Sequence, residues 1–231
     1  GGCTLRDAPG HVDFAAGTER AGRVMDCAVL LVSGADGVQG HTETLWKLLE
    51  RHHIPTFLFI NKMDQPGTDR DRLLGQLRAR LSDGCADFSG PWEDVLEHAA
   101  LCDEALMERY LEAGELDDAD LSALIVERRL FPCFFGAALR VEGVDALLDG
   151  LARYALEPDW PAQFAARVFK ISRDDKGERL TWLKITGGAL KVRDVVKGPD
   201  WEEKAAQLRL YSGAKFIPAG EAPAGTVCAA A

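Results

Sequence analysis

The chain has 231 residues, 47% of them hydrophobic, and a formal net charge of −10. That length admits one or two domains, and no apolar run approaches the ~18 residues of a membrane-spanning helix. The closest two of the six cysteines are 17 residues apart. That spacing excludes a paired-cysteine zinc site and predicts free thiols in a reducing, cytoplasmic setting.

In chain order the pattern alternates short apolar runs with helical stripes. Residues 3–6 predict a short strand and 12–25 a helix. Residues 27–32 (CAVLLV) predict a buried strand. Residues 42–51 predict a helix with Leu45, Leu48 and Leu49 as its apolar stripe. Residues 56–60 (TFLFI) are a second buried strand, and 69–81 a helix facing inward with Leu73, Leu74, Leu77 and Leu81. Residues 83–130 break the rhythm and predict an acidic helical insertion, with helices at 94–110 and 117–129. Residues 131–135 predict a third full strand and 144–154 a helix carrying Leu147, Leu148 and Leu151.

Strand and helix in this alternation predict an α/β domain over 1–157 with a mainly parallel sheet and helices on both faces. After a linker at 158–165, residues 166–231 predict short strands separated by turns: 166–172, 180–186, 190–192 and 206–211. That is a small, barrel-like β domain. The charge supports the division. Residues 166–231 hold 12 basic and 8 acidic residues, a net of +4, which leaves −14 on residues 1–165. The acidic part argues against broad nucleic-acid contact through its surface, and the mildly basic part allows such contact without requiring it; no DNA partner is expected. Trp46, Trp92 and Trp160 are read as packing groups, and His52 and His53 as helix-end residues.

Three motifs follow three of the predicted strands, where ligands bind in an open α/β sheet. The first is Asp7-Ala8-Pro9-Gly10-His11. Asp, Pro and Gly are also ordinary turn residues. A glycine here also lets a backbone N–H approach a phosphate oxygen, and an Asp can reach a magnesium ion through a bound water. His11 is placed to orient an attacking water. The second is Asn61-Lys62-Met63-Asp64. Guanine offers its N1–H and 2-amino group as adjacent donors, and one carboxylate can accept both. Adenine lacks that pair, so Asp64 would select guanine. Asn61 can bond the base and neighbouring loops, and the Lys62 stem can lie along the base plane. The third is Gly136-Ala137-Ala138-Leu139, whose small residues let a backbone N–H point at guanine O6.

Together these resemble the third, fourth and fifth signature motifs of the translational GTPases. The Asp-Ala-Pro-Gly-His form is similar to the ribosome-dependent branch. Asp36-Gly37-Val38-Gln39, Ile54-Pro55-Thr56 and Leu130-Phe131-Pro132 resemble elongation factor G and the tetracycline ribosomal-protection proteins. Gly188-Ala189-Leu190-Lys191-Val192-Arg193-Asp194 looks like the start of that family's second, β-barrel domain, and Ala224-Gly225-Thr226-Val227 like a late strand of it. The barrel is expected to be partial.

The resemblance implies GTP or GDP with Mg2+ as ligands and the ribosome as partner. It places Gly10 at the γ-phosphate, Asp7 at the magnesium shell through water, and His11 at the hydrolytic water. Asn61, Lys62 and Asp64 would read the base, and Ala138 would contact O6. Ala137 stands where Ser is usual, and Leu139 where Lys, Leu or Phe occurs. Because the O6 contact comes from backbone, little loss is expected.

No G-x-x-x-x-G-K-[ST] occurs in the 231 residues, nor does the threonine-bearing switch expected before residue 7. Phosphoryl transfer depends mostly on positioning and charge neutralisation, so negligible hydrolysis is expected from these residues alone. A compromised sheet is expected around 27–32, with 55–64 and 131–138 least affected. Two alternatives stay open: a non-catalytic guanine- or ribosome-binding module, and peptide chain release factor three.

Overall fold

A computed structural model describes residues 5, 22, 24–156, 158–197, 202–213 and 215–231. The predicted strand at 3–6, the motif of Asp7, Gly10 and His11, and most of the predicted helix at 12–25 lie outside these. The described residues divide into two compact units, one of residues 25–156 and one of 158–231 with residues 5, 22 and 24.

The first unit is built on a parallel sheet of β1 (Ala28–Ser33), β2 (Thr56–Asn61), β3 (Cys85–Asp87) and β4 (Phe131–Phe135), in the order β1-β2-β4-β3. Apart from Thr56 and Asn61 at the ends of β2, the central strands are apolar, as expected where helices cover both faces. Phe57, Leu58 and Ile60 are fully buried. Each contributes roughly 1.5–3 kcal/mol by leaving water. Alternation sorts their side chains to opposite faces. Leu30, Val32, Leu58, Ile60 and Phe135 pack on α1 (Gly40–Arg51) and α2 (Arg70–Arg80) through Trp46, Leu73 and Leu77. Phe57, Phe59 and Phe134 pack under α3 (Trp92–Leu101), α5 (Asp118–Val126) and α6 (Val144–Tyr154). Among the described residues β1 pairs only with β2, so its other side carries no neighbour there.

Residues 83–130 are not wholly helical. Cys85–Asp87 is an edge strand paired with β4, because the backbone of Gly84 is bonded by Phe131 N–H and leaves no space for a side chain at that glycine. The helix predicted at 94–110 is two: α3 ends at Cys102, and Asp103 restarts the chain as the N-cap of α4 (Glu104–Ala113). Its carboxylate accepts from the N–H groups of Ala105 and Leu106, satisfying donors that a helix start leaves open. Asp117 caps α5 in the same way, accepting from Asp120 N–H.

Two apolar stripes are rotated from their predicted positions. In α1 the buried residues are Thr42, Trp46 and Leu49, because Trp46 meets Phe131 edge-on with ring centroids 4.6 Å apart. In α6 the contact face is Leu147, Gly150, Leu151 and Tyr154, spaced i, i+3, i+4 and i+7, while Leu148 is exposed. Gly150 sits against the Phe134 ring, where a Cβ would come within 2.4 Å.

The second unit is antiparallel. Its main sheet is formed by β5 (Ala165–Arg173), β6 (Arg179–Gly187), β10 (Leu208–Ser212), β11 (Lys215–Ala219) and β13 (Val227–Ala230), in the order β11-β10-β13-β6-β5. Two small ribbons pair β7 (Ala189–Lys191) with β12 (Glu221–Pro223), and β8 (Val195–Lys197) with β9 (Glu202–Lys204). No closed barrel forms among the described residues. Leu183, Ile185, Leu190, Leu208 and Cys228 make its core. Arg209 of β10 reaches the turn between β5 and β6, bonding Asp174 at 2.9 Å and pairing with Glu178. No helix among the described residues is long and apolar enough to cross a membrane. Cys85, Cys102, Cys133 and Cys228 are free thiols.

Candidate functional site

The carboxyl ends of β1, β2 and β4 finish in register, Ser33 opposite Asn61 and Ile60 opposite Phe135. Each strand hands the chain to a loop on the same edge of the sheet, the usual position of a ligand site in this architecture. Two of these loops, 61–68 and 136–143, are joined by a series of contacts.

Asn61 organises the first loop. Its Oδ1 accepts from Lys62 N–H and from Ala138 N–H, both at 2.8 Å, so one side chain ties both loops. Lys62 then adopts φ 66°. That left-handed backbone is uncommon for a lysine and is held here by its surroundings. Met63 N–H donates to Gly136 O at 3.0 Å, and Gly136 N–H to Ile60 O at 2.9 Å. The Thr68 hydroxyl lies 2.9 Å from both Met63 O and Gln65 O, closing the loop before Asp69 caps α2. Gly34, from the end of β1, donates to Asn61 O at 2.7 Å. It lies where a Cβ would meet Met63 Sδ at 2.9 Å.

The second loop turns tightly. Ala137 N–H donates to Glu142 O at 3.0 Å, and Glu142 N–H returns to Ala137 O at 3.2 Å. Between them runs a short 3-10 turn, Ala138–Arg140, followed by Val141 and Gly143 with φ 62° and 75°. Gly136 lies beneath, where a Cβ would come within 2.2 Å of Glu142 O. Ala137 is buried and fully engaged in this closure, whereas Ala138 and Leu139 are exposed. The Ala138 amide expected to meet guanine O6 donates to Asn61 Oδ1 in this structure. A base oxygen would share that N–H or displace the Asn61 oxygen. Asp64, whose side chain is 24% exposed, lies at the mouth of the two loops with its Oδ2 3.2 Å from Arg140 Nε.

A half-buried fork braces the pair from behind. Arg70, the first residue of α2, grips both carboxylate oxygens of Asp87 at the end of β3, with Nη2 2.6 Å from Oδ1. Its guanidinium stacks over Phe135, 4.9 Å from the ring centroid. Asp87 Oδ1 also accepts from Ser89 N–H at 2.9 Å, and the Ser89 hydroxyl accepts from Phe135 N–H at 3.3 Å. Sequence reasoning passed over Gly34, Thr68, Arg70, Asp87 and Arg140. The fork joins groups 17 residues apart across a strand that the sequence pattern does not reveal.

A cleft of about 450 Å³ between α2 and α3 has mixed lining charges, including Asp71, Arg78, Asp94 and His98. Burial, then the nearby Arg78 charge, lowers the His98 pKa. The cleft shares Arg70 and Asp87 with the loop bracing but holds none of Asn61, Lys62, Asp64 or Ala138. Among the described residues no cluster of three or more His, Cys, Asp or Glu could hold a metal.

The geometry suits a planar ligand edge presenting two donors to one carboxylate and an acceptor to a loop amide. A family profile described as the elongation factor Tu GTP binding domain matches residues 2–157. The tetracycline resistance protein TetP of Clostridium perfringens is 29% identical over 248 residues, spanning 96% of this chain and 38% of that protein. A solved structure from Thermus thermophilus is similar with a TM-score of 0.82 at 25% identity, over 97% of this chain and 41% of that one. The chain thus spans about two fifths of the length of these relatives.

Proposed function

The chain belongs to the elongation factor Tu GTP-binding domain family, and on that premise we propose that it forms the base-reading part of a ribosome-dependent GTPase of the elongation factor G and ribosomal-protection kind. The observation that carries this reading is the double use of Asn61 Oδ1 to lock loops 61–64 and 136–140 together, with Asp64 at their mouth. Asp64 accepts the N1–H and 2-amino donors of guanine, Lys62 lays its stem along the base, and the 138–139 backbone meets O6. The exposed Leu139 covers the base edge. Because the buried Ala137 is occupied in closing the loop, alanine in place of the usual serine costs little.

Gly10 would meet the γ-phosphate, Asp7 the magnesium ion through a water, and His11 would orient the hydrolytic water. The magnesium ion, when bound, neutralises phosphate charge. Partner and compartment follow from the same family: the ribosome, in the cytoplasm. The name of the TetP relative favours the ribosomal-protection branch over translocation.

The alternative to test is a guanine- or ribosome-binding module without hydrolysis. Ribosome-stimulated GTP turnover tests it: rates typical of the family refute it, whereas turnover near background is expected of these 231 residues on either reading.

Guanine recognition is tested directly by titrating GDP and xanthosine diphosphate against the chain and Asp64→Asn. Asparagine cannot accept two donors with one charged group, but its amide donates to the xanthine 2-carbonyl. The expected outcome is a loss of GDP affinity of at least about tenfold with a gain for the xanthine nucleotide. Unchanged GDP affinity in Asp64→Asn would remove Asp64 from the site.

A further inference from the structure

The two base-reading loops are linked by three contacts of different kinds. Met63 N–H to Gly136 O joins backbone to backbone. Asn61 Oδ1 to Ala138 N–H joins side chain to backbone. Arg140 Nε to Asp64 Oδ2, at 3.2 Å, joins side chain to side chain. The first two are near the floor of the loops. The third is at the mouth, and it fixes the one carboxylate that the guanine reading needs.

We infer that Arg140 is a positioning residue for base selectivity, setting the rotation of the Asp64 carboxylate so that both of its oxygens face the ligand. This rests on the guanine reading above and adds a residue outside its motifs. A carboxylate on a single Cβ rotates freely about its last bond unless something holds it. Each of its oxygens has two lone pairs, so Oδ2 can stay paired with the Arg140 guanidinium while accepting a base N–H on its other side. The anchor is built into the fold. Arg140 closes the 3-10 turn, and the Ala137–Glu142 bridge and the left-handed Val141 fix the path of the backbone on either side.

Rotation matters unequally for different bases. Guanine places two donors on the carboxylate, so both oxygens must be aligned. Hypoxanthine, which lacks the 2-amino group, places one, and a single contact tolerates rotation. Loss of the anchor therefore weakens guanine more than hypoxanthine. A pair this exposed, with the Arg140 side chain 61% accessible, adds little to the stability of the fold. Its effect is confined to the ligand.

The test is an NMR titration of the 231-residue chain with GMP and IMP at millimolar concentrations, repeated on Arg140→Ala and Arg140→Lys. The folded state of each variant is checked from its amide spectrum. Arg140→Ala is expected to weaken GMP about three- to fivefold and IMP less than about twofold, so the GMP-to-IMP preference falls. Arg140→Lys keeps the charge without the planar fork and recovers part of that preference. An unchanged preference in Arg140→Ala, or equal weakening of both ligands, overturns the inference while leaving the guanine reading intact. A wild-type chain that binds neither ligand overturns both.

Discussion

Gly136 is the residue on which the geometry of the base-reading edge turns, and replacing it with alanine gives a sharp expectation. The new Cβ would lie 2.2 Å from Glu142 O and 2.9 Å from Phe59 Cζ. The Phe59 ring is buried in the sheet core and has little room to turn. The Glu142 carbonyl must therefore retreat by about 1 Å to reach ordinary contact. That carbonyl accepts from Ala137 N–H, and the return bond from Glu142 N–H closes the same ring. Losing both costs about 2 kcal/mol, and residual overpacking adds about 1–3 kcal/mol. The expected destabilisation is about 3–5 kcal/mol, which lowers the melting temperature by roughly 10 °C for a protein of this size. Gly75→Ala is the matched control. It lies within α2, nothing stands within 4 Å of its added Cβ, and it should gain about 0.5–1 kcal/mol from helix propensity alone. Differential scanning calorimetry on both variants decides the matter. A Gly136→Ala protein melting within about 2 °C of the parent would refute the close-approach argument.

Two further outcomes test the loops and the β unit. Asn61→Ala strips the acceptor from the Lys62 and Ala138 amides at once and should cost about 2–4 kcal/mol in chemical denaturation, against under about 1 kcal/mol for an ordinary surface change; a cost below that would mean water replaces the lost acceptor freely. In the second unit the hydrogen bond from Arg209, the largest cause, lowers the Asp174 pKa. A depressed folded value means that this stabilisation is present above the ordinary carboxylate pKa and is lost as pH falls through the depressed one. Asp174→Asn can still accept the Lys176 and Glu178 amides but loses the charge. The acid arm of its unfolding profile should therefore be shallower than the parent's, and superimposable profiles would show that the pair carries no linked proton.

Much of the site was legible because it is local. Asn61, Lys62 and Asp64 follow directly on a strand whose apolar residues can only be interior, and Gly136 to Leu139 follow another. Strand polarity then brings both motifs to one edge of the sheet without any knowledge of packing. The sequence could also supply the order β1, α1, β2, α2, β4, α6 in the first unit and the change to short β strands after residue 158. Those features depend on periodicity, and burying one face is enough to select it.

What the tertiary structure decided were relationships between distant residues. Cys85–Asp87 became a strand because β4 offered it an unpaired edge, although three residues carry no periodic signal of their own. Leu148 gave up its place in the α6 stripe to Gly150, since the Phe134 ring occupies the space that a side chain at 150 would fill. Trp46 turned α1 to meet Phe131. At the site itself, the motifs name the residues proposed to touch a base, but not that one Asn61 oxygen ties two loops together, that Arg70 grips Asp87, or that Arg140 pairs with Asp64. A motif records which chemistry is present; which atoms hold that chemistry still is settled only when strands far apart in sequence lie about 5 Å apart in the sheet.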